Sequence, residues 1–322
     1  MVRTVGDSEF PSPGEPVFAR PAGVVVDGNG RVFVPDPEQH QVFVLSPEGD
    51  LVRAIGGPGR GPGEMGNPMG VGIGAGGEVI VAEGCCRLHE FTAELDYVRS
   101  LTWPVEVLPL GGKAFVVIGA LALVPLPPLP PARTNVMHLF ALDGPEPLPV
   151  GSFLPYAKPQ RSFREASLQQ SAVSSRNIVV LGTDANRYVA LARAAEAEII
   201  VWDLILGLAR RYELRGQAIE TRPSGDAPGP AFAVVQVVKD LAFGGQSALY
   251  ALVRRYGLLE VPIEMPECAV LYRSDGVEEI DAELGNYWAM AVARGRGYLL
   301  SPPIGAAGHL LARAALWAGI YP

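Results

Sequence analysis

Apolar residues along this chain come in short runs, broken by glycine, proline and Asx-Gly pairs rather than spaced at the 3.6-residue period of helices. Residues 24–26 (Val-Val-Val) lead into Asp27-Gly28-Asn29-Gly30, and Val32, Phe33 and Val34 follow. After a short gap comes an apolar run at 41–45, the turn Pro47-Glu48-Gly49-Asp50 and a further run from Leu51. Short β-rich runs joined by Asx-Gly turns predict an antiparallel meander.

That unit repeats. Pro21 and Pro68, Gly23 and Gly70, Gly30 and Gly77, Val32 and Val79, Val34 and Val81, and Asp36 and Glu83 all lie 47 residues apart, and Leu51-Val52-Arg53 matches Tyr97-Val98-Arg99 at 46. Such a spacing accommodates about four strands, the content of one propeller blade. Fainter copies run through 138–144, 199–214 and 269–277. Taking Gly49, Leu95, Gly144, Gly207 and Gly276 as equivalent turns gives intervals of 46, 49, 63 and 69. The widening is assigned to an apolar, proline-rich insertion at 121–131 and to long loops at 155–170 and 216–230. A last unit spans 287–317, with strands at 288–293, 298–300 and 309–316. The expected fold is all-β: one domain over 1–322, a six-bladed β-propeller of four-stranded antiparallel blades. Residues 1–5 or 16–18 are expected to close the ring beside the C-terminal strands, removing an exposed edge.

Composition narrows this reading. With 48% apolar and 19% charged residues the chain is not disordered. A net charge of -8 argues against general nucleic-acid binding, which needs a basic face; Arg210-Arg211 and Arg254-Arg255 read as solvated strand edges. Residues 114–131 carry no charge, but five prolines in the last seven positions exclude a spanning helix. They read as a buried strand at 114–118 leading into a polyproline-like loop. The first residues lack the apolar core of a secretory signal, so the chain reads as cytoplasmic, or as extracytoplasmic if processed. Cys85, Cys86 and Cys268 form a poor disulfide framework and read as buried or semi-buried thiols, with a bridge from Cys268 to the pair only if their blades lie close.

At residues 18–23 and 27–36 the sequence resembles NHL-repeat propellers, whose repeats run F-x-x-P-x-G-[IV]-x-[VL]-D-x-x-G-x-[VIL]-[YF]-V-x-D. Residues 56–68 (GGPGRGPGEMGNP) resemble the glycine-rich linker of bacterial six-bladed propellers of this group. Met65 stands where phenylalanine is usual, and Gln41 where arginine is frequent. The resemblance implies a six-bladed ring; it implies no activity, because the fold serves lyases, lactonases, sensors and scaffolds alike.

Candidate channel-mouth residues are Asp36, Glu38 and His40, then Glu83, His89 and Glu90, and further on Asp184, Asn186 and Asp240. Asp36, Glu83, Asp184 and Asn186 have the oxygen chemistry of a calcium site. The shared repeat position of Asp36 and Glu83 equally suits acids that cap their own turns. Four scattered histidines assemble no metal or lyase site, and no G-x-S-x-G elbow or Ser/His/Asp set stands out. Glycines 70, 72, 74, 76 and 77 lack the strand-to-helix context of a nucleotide loop. Trp103, Trp202, Trp288 and Trp317 read as inter-blade packing. Leu121, Leu123, Val124, Leu126 and Leu129 in the insertion, with Leu316 and Trp317 in the tail, are the expected partner-binding patch. The leading functional expectation is a non-catalytic protein-interaction propeller, an accessory subunit of a larger assembly that reaches any membrane through its partner, with no cofactor. The alternatives are a calcium-dependent hydrolase or lyase working at the axial channel, and an extracytoplasmic ligand-binding propeller.

Overall fold

The computed structural model of the protein describes residues 2–5, 16–106, 113–126, 134–157, 177–196, 198–214, 219–223, 230–234, 236–244, 248–255, 268–273, 289–293, 296–300 and 314–318. Among them there is no helix, and so none long and apolar enough to cross a membrane.

Four blades are complete and built from consecutive antiparallel strands. The first holds Val25–Val26, Val32–Asp36, Gln41–Leu45 and Leu51–Gly56; the second Pro68–Ile73, Val79–Glu83, Cys85–Phe91 and Tyr97–Glu106. The third holds Val116–Ile118, Leu121–Pro125, Asn135–Ala141 and Leu148–Pro155; the fourth Val179–Thr183, Tyr188–Arg193, Glu198–Asp203 and Leu208–Glu213. A hairpin, Ile219–Pro223 with Pro230–Val234, follows in sequence, and then a three-stranded sheet of Gln236–Phe243, Leu249–Arg255 and Cys268–Arg273. The last sheet combines both ends of the chain. Ala289–Ala293, Arg296–Leu300 and Ala314–Ala318 take Val2–Val5 as a fourth strand, with Val2 opposite Trp317 and Val5 opposite Ala314.

Burial explains the strand chemistry. The first two strands of each complete blade are mostly buried and almost wholly apolar, whereas the outer strands Leu148–Pro155 and Leu208–Glu213 are mostly exposed and mix polar with apolar residues. The core lies between sheets. Phe33, Val42 and Val44 pack with Val71, Val79 and Val81 across the first and second blades. Trp103 meets Phe115 and Phe140 edge-on at 5.7 and 5.6 Å between the second and third, and Phe153 meets Trp202 at 6.1 Å between the third and fourth. Val180 and Ala190 pack with Val238 and Leu241 of the three-stranded sheet, and Val32 and Val34 with Ala289, Ala291 and Tyr298 of the last. Antiparallel blades stacked face to face in this way, with their first strands innermost, define a β-propeller.

Two innermost glycines permit the close approach. A Cβ on Gly72 would lie 2.5 Å from Val117 Cγ2, and one on Gly182 would lie 2.9 Å from the backbone oxygen of Leu241. The run of glycines at 70–77 is therefore strand followed by turn, with Gly77 at φ +87°.

Two sequence expectations are corrected here. Residues 121–125 are not a projecting loop but the second strand of the third blade, paired with Val116–Ile118 on one side and Asn135–Ala141 on the other. Part of the expected loop at 216–230 is a strand, Ile219–Pro223, paired with Pro230–Val234. Most of the loop expected at 155–170 lies outside the described residues, as do Trp288 and 309–313 of the expected last strand.

Candidate functional site

The innermost strands surround an axial cavity of about 470 Å³. Its wall takes residues from every blade and from both remaining sheets of three or more strands: Val25, Val71, Val116, Thr183, Phe243 and Ala291 among them. Turns joining first to second strands border it at Asp27–Asn29, Gly74–Gly77 and Asp184–Asn186, and Lys113 also lines it. The Lys113 ammonium donates to Asp240 Oδ1 at 2.9 Å and to the carbonyls of Leu241 at 2.8 Å and Met290 at 3.0 Å. Asp240 is wholly buried and also accepts the backbone N–H groups of Leu241 and Met290. Burial pushes its carboxyl above the ordinary carboxylate range, against the pull of Lys113. Lys113 is thus a central residue that no repeat position or motif in the sequence marks.

The four expected calcium ligands are not brought together. Asp36 is fully buried and accepts backbone N–H groups from Ala19 at 2.6 Å and Arg20 at 3.1 Å, as well as from Glu38 and Gln39. Glu83 accepts from Gly66 N at 3.3 Å and from His89. Ala19 and Gly66 are themselves 47 residues apart, so the two repeat acids make the same contact, anchoring the segment that enters their blade. Asp184 does line the cavity with Asn186, but its Oδ1 is taken by the N–H groups of Asn186, Arg187 and Tyr188 at 3.1, 2.8 and 2.8 Å. Among the described residues, no three His, Cys, Asp or Glu side chains converge as a metal site would require.

Glu83 and His89, both expected at the channel mouth, meet each other, Ser100 and Tyr97 in the second blade, and none of the four lines the axial cavity. Glu83 Oε1 lies 2.7 Å from His89 Nε2, Ser100 Oγ lies 3.0 Å from His89 Nδ1, and the Tyr97 hydroxyl lies 3.0 Å from Ser100 Oγ. His89 is wholly buried and directly opposite Ser100 in the strand register. Burial lowers its pKa, outweighing Glu83. The serine oxygen is shared between His89 and Tyr97, so the chain works as a cross-strand tie. Cys85 and Cys86, expected as buried or semi-buried thiols, are exposed and bonded to each other.

The expected partner patch is interior where the structure describes it. Leu123, Val124 and Leu126 are buried in the third blade's own packing and Leu121 is half-buried. Leu129 falls outside the described residues. Leu316 and Trp317 lie in the strand Ala314–Ala318, whose side chains are not described.

Among the described residues, exposed large apolar side chains also occur singly on the other blades, such as Val52, Val98, Leu148 and Val150, but the longest consecutive run is on the fourth blade. Its third and fourth strands are joined by a turn in which Leu204, Ile205 and Leu206 are 49%, 71% and 58% exposed, and Leu208 beyond it is 54% exposed. Asp203 holds this turn. Its Oδ1 accepts the N–H groups of Ile205 and Leu206 at 3.1 Å, and both its oxygens take Arg187, Nη2 at 2.6 Å. The Arg187 guanidinium beside Asp203 lowers that carboxyl to about 2, and the same guanidinium stacks on Tyr188 at 4.9 Å. In the first and second blades the equivalent turn is capped instead by Ser46 Oγ and Thr92 Oγ1. With Gly49, Leu95 and Gly207 equivalent, all three at positive φ, Leu206 stands where those blades carry Glu48 and Glu94. Leu208 stands where they carry Asp50 and Asp96. The turn geometry needs no leucine at either place.

Solved structures share the fold. A member of the DUF4221 family from Bacteroides vulgatus matches with a TM-score of 0.56 over 98% of this chain and 96% of its own, at 11% identity. A protein from Bacteroides fragilis matches with 0.57 over 98% and 94%, at 8% identity. The β-propeller domain of Cps50 (Swd1) from Myceliophteria thermophila covers 94% of this chain and 97% of its own at 9% identity, with a TM-score of 0.48. No family model and no curated protein matches the sequence. At these identities the likeness is one of fold, and the class it defines is the β-propeller.

Proposed function

We propose that this protein is a non-catalytic β-propeller scaffold that binds other proteins, an accessory subunit of a larger assembly. The observation that carries the reading is the exposed aliphatic turn at Leu204, Ile205, Leu206 and Leu208, where equivalent turns of the same ring are acidic. Contiguous apolar surface of this kind marks interaction sites on water-soluble folds. The acids and histidine that could support chemistry are engaged as caps and ties: Asp36, Glu83, Asp184 and His89 each hold backbone or neighbouring strands.

The proposed ring is a single domain over 1–322 with six blades, related to the NHL-repeat propellers of bacteria. Its support is the 47-residue repeat, the arrangement of innermost strands around one cavity, and the pairing of Val2–Val5 with Ala314–Ala318. The three-stranded sheet is the fifth blade in this reading.

Purification of the tagged full chain from its native cells tests the function. A second polypeptide co-eluting in fixed stoichiometry through a sizing column is expected; elution of the chain alone, at its monomer mass, would sink it.

The axial cavity favours a second reading, a propeller that binds a small ligand beside Asp184 and Asn186. A melting temperature raised by a compound from a panel of small metabolites, with the rise lost in Asn186→Ala, is the result that reading needs.

A further inference from the structure

The aliphatic turn does not stand alone. Leu206 and Leu208 form one wall of a cleft of about 260 Å³ whose other lining residues include Phe243 and Leu249, from the sheet that follows the fourth blade. Phe243 and Leu249 are buried at the cleft floor, 9% and 4% exposed. The polar edge is set by Arg187, Arg210 and Tyr212. Arg187 is neutralised by Asp203, whereas Arg210 is exposed and makes no ion pair among the described residues. Arg211 points to the opposite face of the same strand, as alternation requires, and pairs with Glu198 at 3.1 Å.

We infer that this cleft between the fourth blade and the next sheet docks a segment of a partner protein. The segment presents a bulky apolar side chain with a carboxylate close by. The apolar anchor enters between Leu206 and Leu208 on one side and Phe243 and Leu249 on the other, and the carboxylate pairs with Arg210. Three observations fix that chemistry. The cleft has an apolar floor, its one uncompensated charge is a guanidinium, and leucines occupy the turn positions that carry acids in the first two blades. Those same two changes remove negative charge beside Arg210, which would otherwise neutralise it and repel an acidic ligand. The guanidinium suits a carboxylate because its fork of donors can grip both oxygens. Anchors of this sort concentrate binding energy in a few residues at a desolvated centre. A bilayer surface is the weaker occupant, because the turns on the same edge of the neighbouring blades expose Asp143 and Glu146, Glu94 and Asp96, and Glu48 and Asp50. In an up-and-down blade the turns joining first to second and third to fourth strands leave by the same edge, so these carboxylates share the face with the cleft.

The inference rests on the scaffold reading above, and its test separates the two. Random peptides displayed on phage are selected on the full chain, and the winners are synthesised and titrated against wild-type protein, Leu208→Asp and Arg210→Glu. Both positions are exposed, and matching melting temperatures establish that the variants remain folded. The expected winners share a large apolar residue within a few positions of Asp or Glu, and they bind each variant at least tenfold more weakly. Winners that bind both variants within twofold of wild type overturn this docking site while leaving an interaction role intact. Winners bearing Lys or Arg beside the anchor overturn the assigned charge, and a selection that enriches nothing overturns the site. Co-sedimentation with phosphatidylcholine–phosphatidylglycerol vesicles, lost in Leu208→Asp, would reassign the turn to a membrane and overturn the proposal.

Discussion

Lys113 of the third blade reaches across the axis to Asp240 of the three-stranded sheet, 2.9 Å from Nζ to Oδ1, with the aspartate wholly buried and the lysine side chain 9% exposed. Its other bonds, to Leu241 and Met290, tie the third blade to two sheets that lie far away in sequence. Removing one partner strands the other charge in the interior, a loss on the order of 3–5 kcal/mol. Lys113→Met and Asp240→Leu should each destabilise the fold by about that much in urea unfolding. The double variant should lose less than either single change. A double variant as unstable as the sum of the two would contradict the pairing.

The innermost glycines give a second expectation. A Cβ on Gly182 would press on the Leu241 backbone oxygen, which cannot turn aside as a side chain could. Gly182→Ala should cost about 1–3 kcal/mol, whereas alanine at Gly28, where a Cβ would meet nothing within 4 Å, should cost far less. Equal unfolding midpoints for the two variants would refute the close approach.

His89 sets a pH dependence. Its folded pKa is lowered by burial below the ordinary 6.5, so the folded state holds the neutral imidazole while the unfolded chain takes up a proton. Stability from this group is complete above 6.5 and falls as the pH drops toward the lowered value. The groups facing it are Glu83, Ser100 and Arg87. The unfolding free energy of wild type should decline between pH 6.5 and 5 more steeply than that of His89→Gln. Parallel profiles would remove His89 as the source.

Asp203 should titrate at about 2 when followed by carboxyl NMR, and its midpoint should rise toward 3.8 in Arg187→Ala. The sign is that of a depressed acid: its support for the Leu204–Leu206 turn is present above the ordinary carboxylate range and lost as the pH falls through about 2. An unchanged midpoint in the variant would show that Arg187 does not hold this carboxylate.

Much of the blade architecture was readable because the repeat preserves contacts as well as residue types. Asp36 and Glu83 stand 47 residues apart, and so do the Ala19 and Gly66 amides they bind. The turn equivalence of Gly49 with Leu95 also carries through, since both take positive φ although only one is glycine. The misreading of 121–126 has a physical origin. A strand buried on both faces is a continuous apolar run, and its hairpin turn, Gly119-Ala120, lacks the Asx-Gly signature of the first blade's Asp27-Gly28-Asn29-Gly30. Lys113 and the Glu83–His89–Ser100 tie were illegible for another reason. The first is created by closure around the axis, across 127 residues of chain, and the second by strand register, which spacing alone does not set. The aliphatic turn at 204–208 was visible as sequence, but its exposure follows only from its place at the rim of a blade.

The claim that this propeller works by binding protein is tested most directly by remixing the purified chain with the polypeptide that co-purifies from native cells and measuring the mass in solution by light scattering. The account predicts a single species at the summed mass of the two chains in a fixed ratio. Two separate species, each at its own mass, would contradict it.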